Sequence, residues 1–104
     1  MTGATAQVEA ALATVQDPCG QALGAGWTIS DLGLLVDVEV LDGTWRIEIT
    51  LTDPLCPFFE DLEARVSRAV LEHTEATTVE VHVSERVAWE PSRLQRPMWF
   101  GVNA

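Results

Sequence analysis

The residues with the greatest chemical potential are Cys56 and Cys19, the two cysteines of a 104-residue chain. A thiolate is both a nucleophile and a soft metal ligand. Cys56 stands in Leu51-Thr52-Asp53-Pro54-Leu55-Cys56-Pro57, between the end of one strand pattern and the start of one helical pattern. Pro57 suits the first helical position, where its missing N–H is not needed. A helix begun earlier, with Asp53 as its cap, would place Pro57 where an intrahelical donor is already required. The spacing therefore predicts Cys56 at the helix cap or beside it. Free N–H groups and the positive helix end favour a thiolate there. Caps are ordinarily Ser, Thr, Asp or Asn, so cysteine is not the choice helix stability would make. Asp53, Glu60 and Asp61 lie close in sequence and oppose the thiolate. The plain alternative is a small buried hydrophobe, a common role for free cysteine.

Cys19 follows Asp17-Pro18 in a glycine-bearing stretch, so only the fold can bring it to Cys56. Two thiols alone do not complete a tetrahedral metal site, and the chain has no Cys-x-x-Cys pair. Asp17 and Asp31 each sit at a turn or loop, where a carboxylate normally bonds neighbouring backbone N–H groups. His73 suits a helix C-terminus and His82 falls on the outward side of a strand; both read as solvated. Trp27, Trp45, Trp89 and Trp99 read as core or lid residues. No glycine-rich phosphate loop, His-Glu-x-x-His pair or Gly-x-Ser-x-Gly elbow is present in the sequence, which disfavours an ordinary kinase or hydrolase.

The elements that must position these residues follow from hydrophobic period. Val8, Ala11, Leu12 and Val15 form one stripe over residues 5–16, and Asp17-Pro18 stops that helix. Residues 19–33 hold Gly20, Gly24, Gly26 and Gly33 and read as a loop, or a loop with a short helical turn. The period then changes to two. Val36, Val38 and Val40 alternate with Asp37 and Glu39, Asp42-Gly43 signals a hairpin, and Trp45, Ile47, Ile49 and Leu51 alternate with polar residues. Residues 57–73 return to helical spacing through Phe59, Leu62, Val66, Ala69 and Val70. Early acids and the later Arg65, Arg68 and His73 complement the helix dipole, and Asp61 and Arg65 make an i,i+4 pair. A third strand, 78–83, turns Val79, Val81 and Val83 inward. The segment from Trp89 onward has no clear period.

These patterns predict an α/β (α+β) single domain over residues 1–104, with a core at about 5–92 and a C-terminal tail at 93–104. The expected order is helix-strand-strand-helix-strand, a small three-stranded mixed sheet with both helices packed on one face. The other face is expected to meet solvent or a partner.

Six basic against sixteen acidic residues give a net charge of −10. Such a surface repels phosphate backbones and anionic membranes, so neither nucleic acid nor membrane is an expected partner. No apolar run approaches the ~20 residues of a membrane helix. The N-terminal residues lack the pattern of a signal peptide. The expected location is cytoplasmic, with reduced thiols.

Asp17-Pro18, Asp31-Leu32-Gly33-Leu34, Thr52-x-Pro54-x-Cys56-Pro57 and Trp89-x-Pro91 occur in that order. With the element plan between them, the chain resembles the metal–sulfur cluster biosynthesis family, which includes SufT-like and PaaD-like proteins and a eukaryotic cytosolic iron–sulfur assembly factor. The resemblance covers roughly residues 7–92. It implies a non-catalytic role in assembling or transferring iron–sulfur clusters, with Cys56 as the key residue and metal contact. Asp17, Asp31 and Thr52 match supporting positions. The family usually reads Asp-Pro-Glu; here Cys19 stands in place of the glutamate and becomes a second candidate ligand. The loop from Cys19 to Ile29 is longer than in short members. The cysteine-bearing C-terminal region of PaaD-like proteins is missing, so a role in phenylacetyl-CoA oxygenation is not supported.

On this reading Cys56 holds iron or a cluster transiently. Because one thiolate is too few for a stable cluster, a homodimer, a client metalloprotein or the assembly machinery supplies the rest. Two other readings remain open: a thiol redox protein pairing Cys19 with Cys56, and an interaction module in which the thiols are incidental.

Overall fold

The computed structural model describes residues 3–16, 27–52 and 57–94. Helix α1 spans Gly3–Leu12 and buries Val8, Ala11 and Leu12. It ends at Leu12, six residues before Pro18, rather than at it. Thr14 and Val15 donate their N–H groups to Ala11 and Leu12, tightening the last turn, and the Thr14 hydroxyl caps the Ala11 carbonyl at 2.7 Å. Such i→i+3 bonds satisfy orphan carbonyls and close the helix without help from proline. Val15 remains in the core, because its carbonyl accepts from Ile29 and Gln16 bridges Thr28 in antiparallel fashion.

Helix α2, Ile29–Leu32, is the short helical turn expected in the glycine-bearing stretch. Thr28 and Asp31 form a capping box: the Thr28 hydroxyl accepts from the Asp31 N–H at 3.0 Å, and the Asp31 carboxylate accepts from the Thr28 N–H at 3.1 Å. Gly33 ends it at φ 68°, a left-handed conformation that side chains disfavour.

Strands β1 (Leu35–Leu41) and β2 (Thr44–Ile49) form an antiparallel hairpin. Asp42 and Gly43 both have positive φ, 52° and 83°, the signature of the tight turn expected of this dipeptide. One departure from strict alternation falls in β1. The register shifts between Leu35 and Asp37, so Leu35, not Val36, packs against the core at that level. A bulge inserts one residue and re-aims its neighbours.

Helix α3 (Phe59–His73) buries Leu62, Val66, Ala69 and Val70 and leads into β3 (Thr78–Val83), which pairs with β2 in parallel. The sheet order is β1-β2-β3. Helices α1 and α3 pack against each other, α1 against β1 and α3 against β3. Trp45, Ile47 and Ile49 of the central strand are buried beneath them. This is the mixed sheet with helices on one face that the periods predict. Each fully buried aliphatic side chain in that layer contributes about 1.5–3 kcal/mol. No helix among the described residues is long and apolar enough to cross a membrane.

The opposite face is not bare. Arg46 pairs with Glu80 at 3.1 Å and Glu39 at 3.6 Å, and Arg86 with Glu48 at 2.9 Å and Asp37 at 3.9 Å. Two arginines thus lace the charged side chains of all three strands. The pairs to Glu39, Glu80 and Asp37 are exposed on both sides and each contribute little, about 0–1 kcal/mol.

Beyond β3 the chain crosses the end of the sheet and returns to the β1 side. The Trp89 indole N–H donates to the Leu32 carbonyl at 2.6 Å. A 3₁₀ turn at Pro91–Arg93 follows, from which Arg93 donates to the carbonyls of Gly33 at 2.8 Å and Leu35 at 2.9 Å. Residues 95–104 of the tail, Trp99 among them, lie outside the described residues.

Candidate functional site

Segments far apart in sequence meet at the carboxyl end of β2. The Thr50 N–H donates to the Leu34 carbonyl at 2.8 Å, which ties the end of β2 to the segment after α2. The Ser84 N–H donates to the Ile49 carbonyl at 2.6 Å, which ties the end of β3 to the same place. Trp89 reaches α2 from the far side. Thr52 leads from this end toward residues 53–56, and α3 returns from them. Gln16, where the stretch 17–26 begins, accepts a hydrogen bond from Arg65 of α3 at 3.2 Å, and Arg65 is held by Asp61 at 2.9 Å. The carboxyl ends of strands are where open α/β sheets characteristically bind ligands.

A cleft of about 370 Å³ opens there, walled by Thr50–Thr52 on one side and Val83–Trp89 on the other. Its second wall is fixed by a polar knot. The Ser84 hydroxyl oxygen accepts from the N–H groups of Arg86 at 3.1 Å and Val87 at 2.9 Å. Arg86 donates to Glu48 at 2.9 Å. The Glu48 side chain is only 11% exposed although it sits on the outer sheet face. Hydrogen bonds from Ser84 and Arg86 hold its carboxyl below the ordinary carboxylate value. A buried carboxylate bonded on two sides stays charged and rigidifies the segment that bonds it.

Of the residues singled out by sequence, Thr52 lines the cleft. Asp31 performs the local role ascribed to such a carboxylate, in the capping box with Thr28, and does not line the cleft. Cys56, Cys19 and Asp17 lie outside the described residues. Helix α3 starts at Phe59 with Phe58 as its cap, so Pro57 is not the first helical position and the cap is two residues beyond Cys56. The expectation of a cysteine cap gives way for a physical reason: Pro57 and Phe58 form a turn ahead of the helix, and no side chain caps it. His73 is exposed in the last turn of α3, and His82 is exposed on the outer face beside Glu48. Trp27 and Trp45 are buried. No group of three or more His, Cys, Asp or Glu side chains that could hold a metal ion occurs among the described residues.

Glu48, Ser84 and Arg86 carried no signal as site residues. Glu48 occupies an outward register position in β2, which alternation assigns to solvent. Ser84 and Arg86 of the crossing segment bond it, and that segment has no hydrophobic period.

The chain resembles known proteins over most of its length. The family described as "Iron-sulfur cluster assembly protein" matches residues 5–83. A structure of a domain of unknown function, DUF59, from Bacillus anthracis is 26% identical with a TM-score of 0.75, covering 90% of this chain and 86% of that one. The conserved hypothetical protein TM0487 from Thermotoga maritima is 26% identical with a TM-score of 0.68, covering 86% and 83%. Rv1466 from Mycobacterium tuberculosis, described as associated with [Fe-S] complex assembly and repair, is 28% identical with a TM-score of 0.50, covering 85% and 73%. No curated protein matches the sequence.

Proposed function

We propose, because the chain belongs to the iron–sulfur cluster assembly protein family, that it carries iron or a nascent cluster to client metalloproteins through Cys56. The observation that carries this reading is the convergence at the carboxyl end of β2. Thr52, the last described residue before 53–56, lines the cleft; Thr50 is tied to Leu34, and Arg65 of α3, the helix that follows them, is tied to Gln16. The association of the similar Rv1466 with [Fe-S] assembly and repair supports the same reading.

In this role the cluster is cargo. Clusters of this kind take four thiolates, so Cys56 is joined by ligands from a client, from the assembly machinery or from a second copy. Transfer is ligand exchange: client thiolates replace Cys56 at iron, with no change in oxidation state. Asp17 and Thr52 support the site, and Cys19 adds a second thiolate. The protein is non-catalytic and works in the cytoplasm, where both thiols stay reduced.

The test is anaerobic reconstitution with iron and sulfide, followed by transfer to an apo-ferredoxin, read by visible absorbance and iron content. Wild type and Cys19→Ser are compared with Cys56→Ser. Loss of chromophore and transfer in Cys56→Ser, with its fold intact by circular dichroism, supports the reading. Equal transfer by Cys56→Ser overturns it. Loss in both variants makes Cys19 a ligand in its own right.

A further inference from the structure

The two edges of the sheet are treated differently. The β1 edge is guarded at three points. The bulge after Leu35 breaks its line, the Asp37 carboxylate takes the outward Val38 N–H at 2.9 Å, and the Arg93 guanidinium takes the Leu35 carbonyl at 2.9 Å. Bulges and charges are the ordinary means of blunting an edge.

The β3 edge carries no bulge, and among the described residues no side chain is bonded to its outward backbone groups. The Thr78 N–H donates to Gly43 and the Ser84 N–H to Ile49, so the even-numbered residues of this strand face β2. The backbone groups of Val79, Val81 and Val83 therefore point away from the sheet. Among the described residues no hydrogen bond reaches them. The strand is six residues of regular, proline-free pairing without a bulge, and its valines are only partly covered by the core. An unguarded edge is a template for one more strand.

We propose that the outer edge of β3 docks an extended, basic segment of the client as a fourth strand. Charge selects this occupant. Exposed Glu75 and Glu85 stand before and after β3, and Glu80, already paired with Arg46 at 3.1 Å, lies within it, on a chain of net charge −10. A second copy would bring the same acids edge to edge, whereas a lysine- or arginine-bearing strand meets them favourably. The docked segment is carried toward the cleft, because Val83, the last residue of β3, begins its second wall. Calling the occupant a client rests on the proposed function; the docking itself needs no iron.

The test uses the full chain, free of metal, titrated with a peptide of alternating valine and lysine and with its valine–glutamate counterpart. Amide exchange and chemical shifts are read by NMR. The expected result is protection of the Val79, Val81 and Val83 amides by the lysine peptide only, weakened by salt, with Val40 of β1 unaffected. Val81→Pro removes an outward donor while leaving the β2–β3 ladder, and should weaken binding about tenfold. Glu75→Lys, which breaks none of the ion pairs described above, keeps the backbone and should also weaken it. Protection at β1 instead, equal binding of the acidic peptide, or concentration-dependent protection of the valines without peptide, which marks a second copy, each overturns the proposal. Cys56→Ser should bind the peptide normally, so failure of docking and failure of cluster transfer are read separately.

Discussion

Arg93 lies across Gly33: its Nε donates to the Gly33 carbonyl at 2.8 Å, while its own carbonyl oxygen fills the space a Gly33 side chain would need. Two motifs far apart in sequence, Asp31-Leu32-Gly33-Leu34 and Trp89-x-Pro91, are thus one physical unit. Gly33 is required twice, by its φ of 68° and by the close approach of a neighbouring backbone.

Gly33→Ala should therefore destabilise by about 2 kcal/mol or more, since left-handed strain and overlap add. Urea unfolding measures it. Because the clash is with the Arg93 backbone, Arg93→Ala should not rescue Gly33→Ala. Rescue would mean that the arginine side chain, not its carbonyl, sets the constraint.

Trp89→Phe keeps most of the ring but deletes the donor to Leu32. The expected cost is about 1–2 kcal/mol, the value of a part-buried carbonyl left without its partner. Thermal unfolding of the two proteins under identical buffer would show it as a drop of several degrees.

Glu48 makes a pH-dependent contribution. Its carboxyl is held below the ordinary value by Ser84 and Arg86. The stabilisation is fully present above the ordinary carboxylate value and is lost as pH falls through the lowered folded value. Wild type should exceed Glu48→Gln in melting temperature near pH 7, and the difference should shrink on acidification below about pH 4. A gap that stays constant with pH would assign the effect to packing.

Thr28→Ala removes one half of the capping box and should cost about 1 kcal/mol. The loss should concentrate in α2, so hydrogen exchange at Asp31, Leu32 and Gly33 should accelerate before that of β2.

The periods in the sequence carried the element order, the helix face of the sheet and the Asp42-Gly43 turn, because each rests on residues whose burial repeats. Where burial is set by distant segments, the pattern was silent. The end of α1 depends on hydrogen bonds at Thr14 and Val15, not on Pro18. The start of α3 depends on a turn at Pro57-Phe58. Alternation places Val36 inward, and the bulge gives that place to Leu35. Thr28-x-x-Asp31 matches a capping-box spacing, so that part of the site region was readable. The bonding of Glu48 by the segment that crosses the sheet end was not, because no local rule links β2 to residues 84–89.

The bridge between Gln16 and Thr28 has a consequence for how this chain can vary. Those two residues meet as an antiparallel pair, and Ile29 seals the junction through Val15. Whatever lies between them begins and ends at one closed gate. Lengthening such an insert costs little, because closure entropy grows only slowly with loop length. The length of the stretch 17–26 can in this sense change while Gln16 and Thr28 stay paired. Sequence change there is then tolerated while stability is kept by the gate.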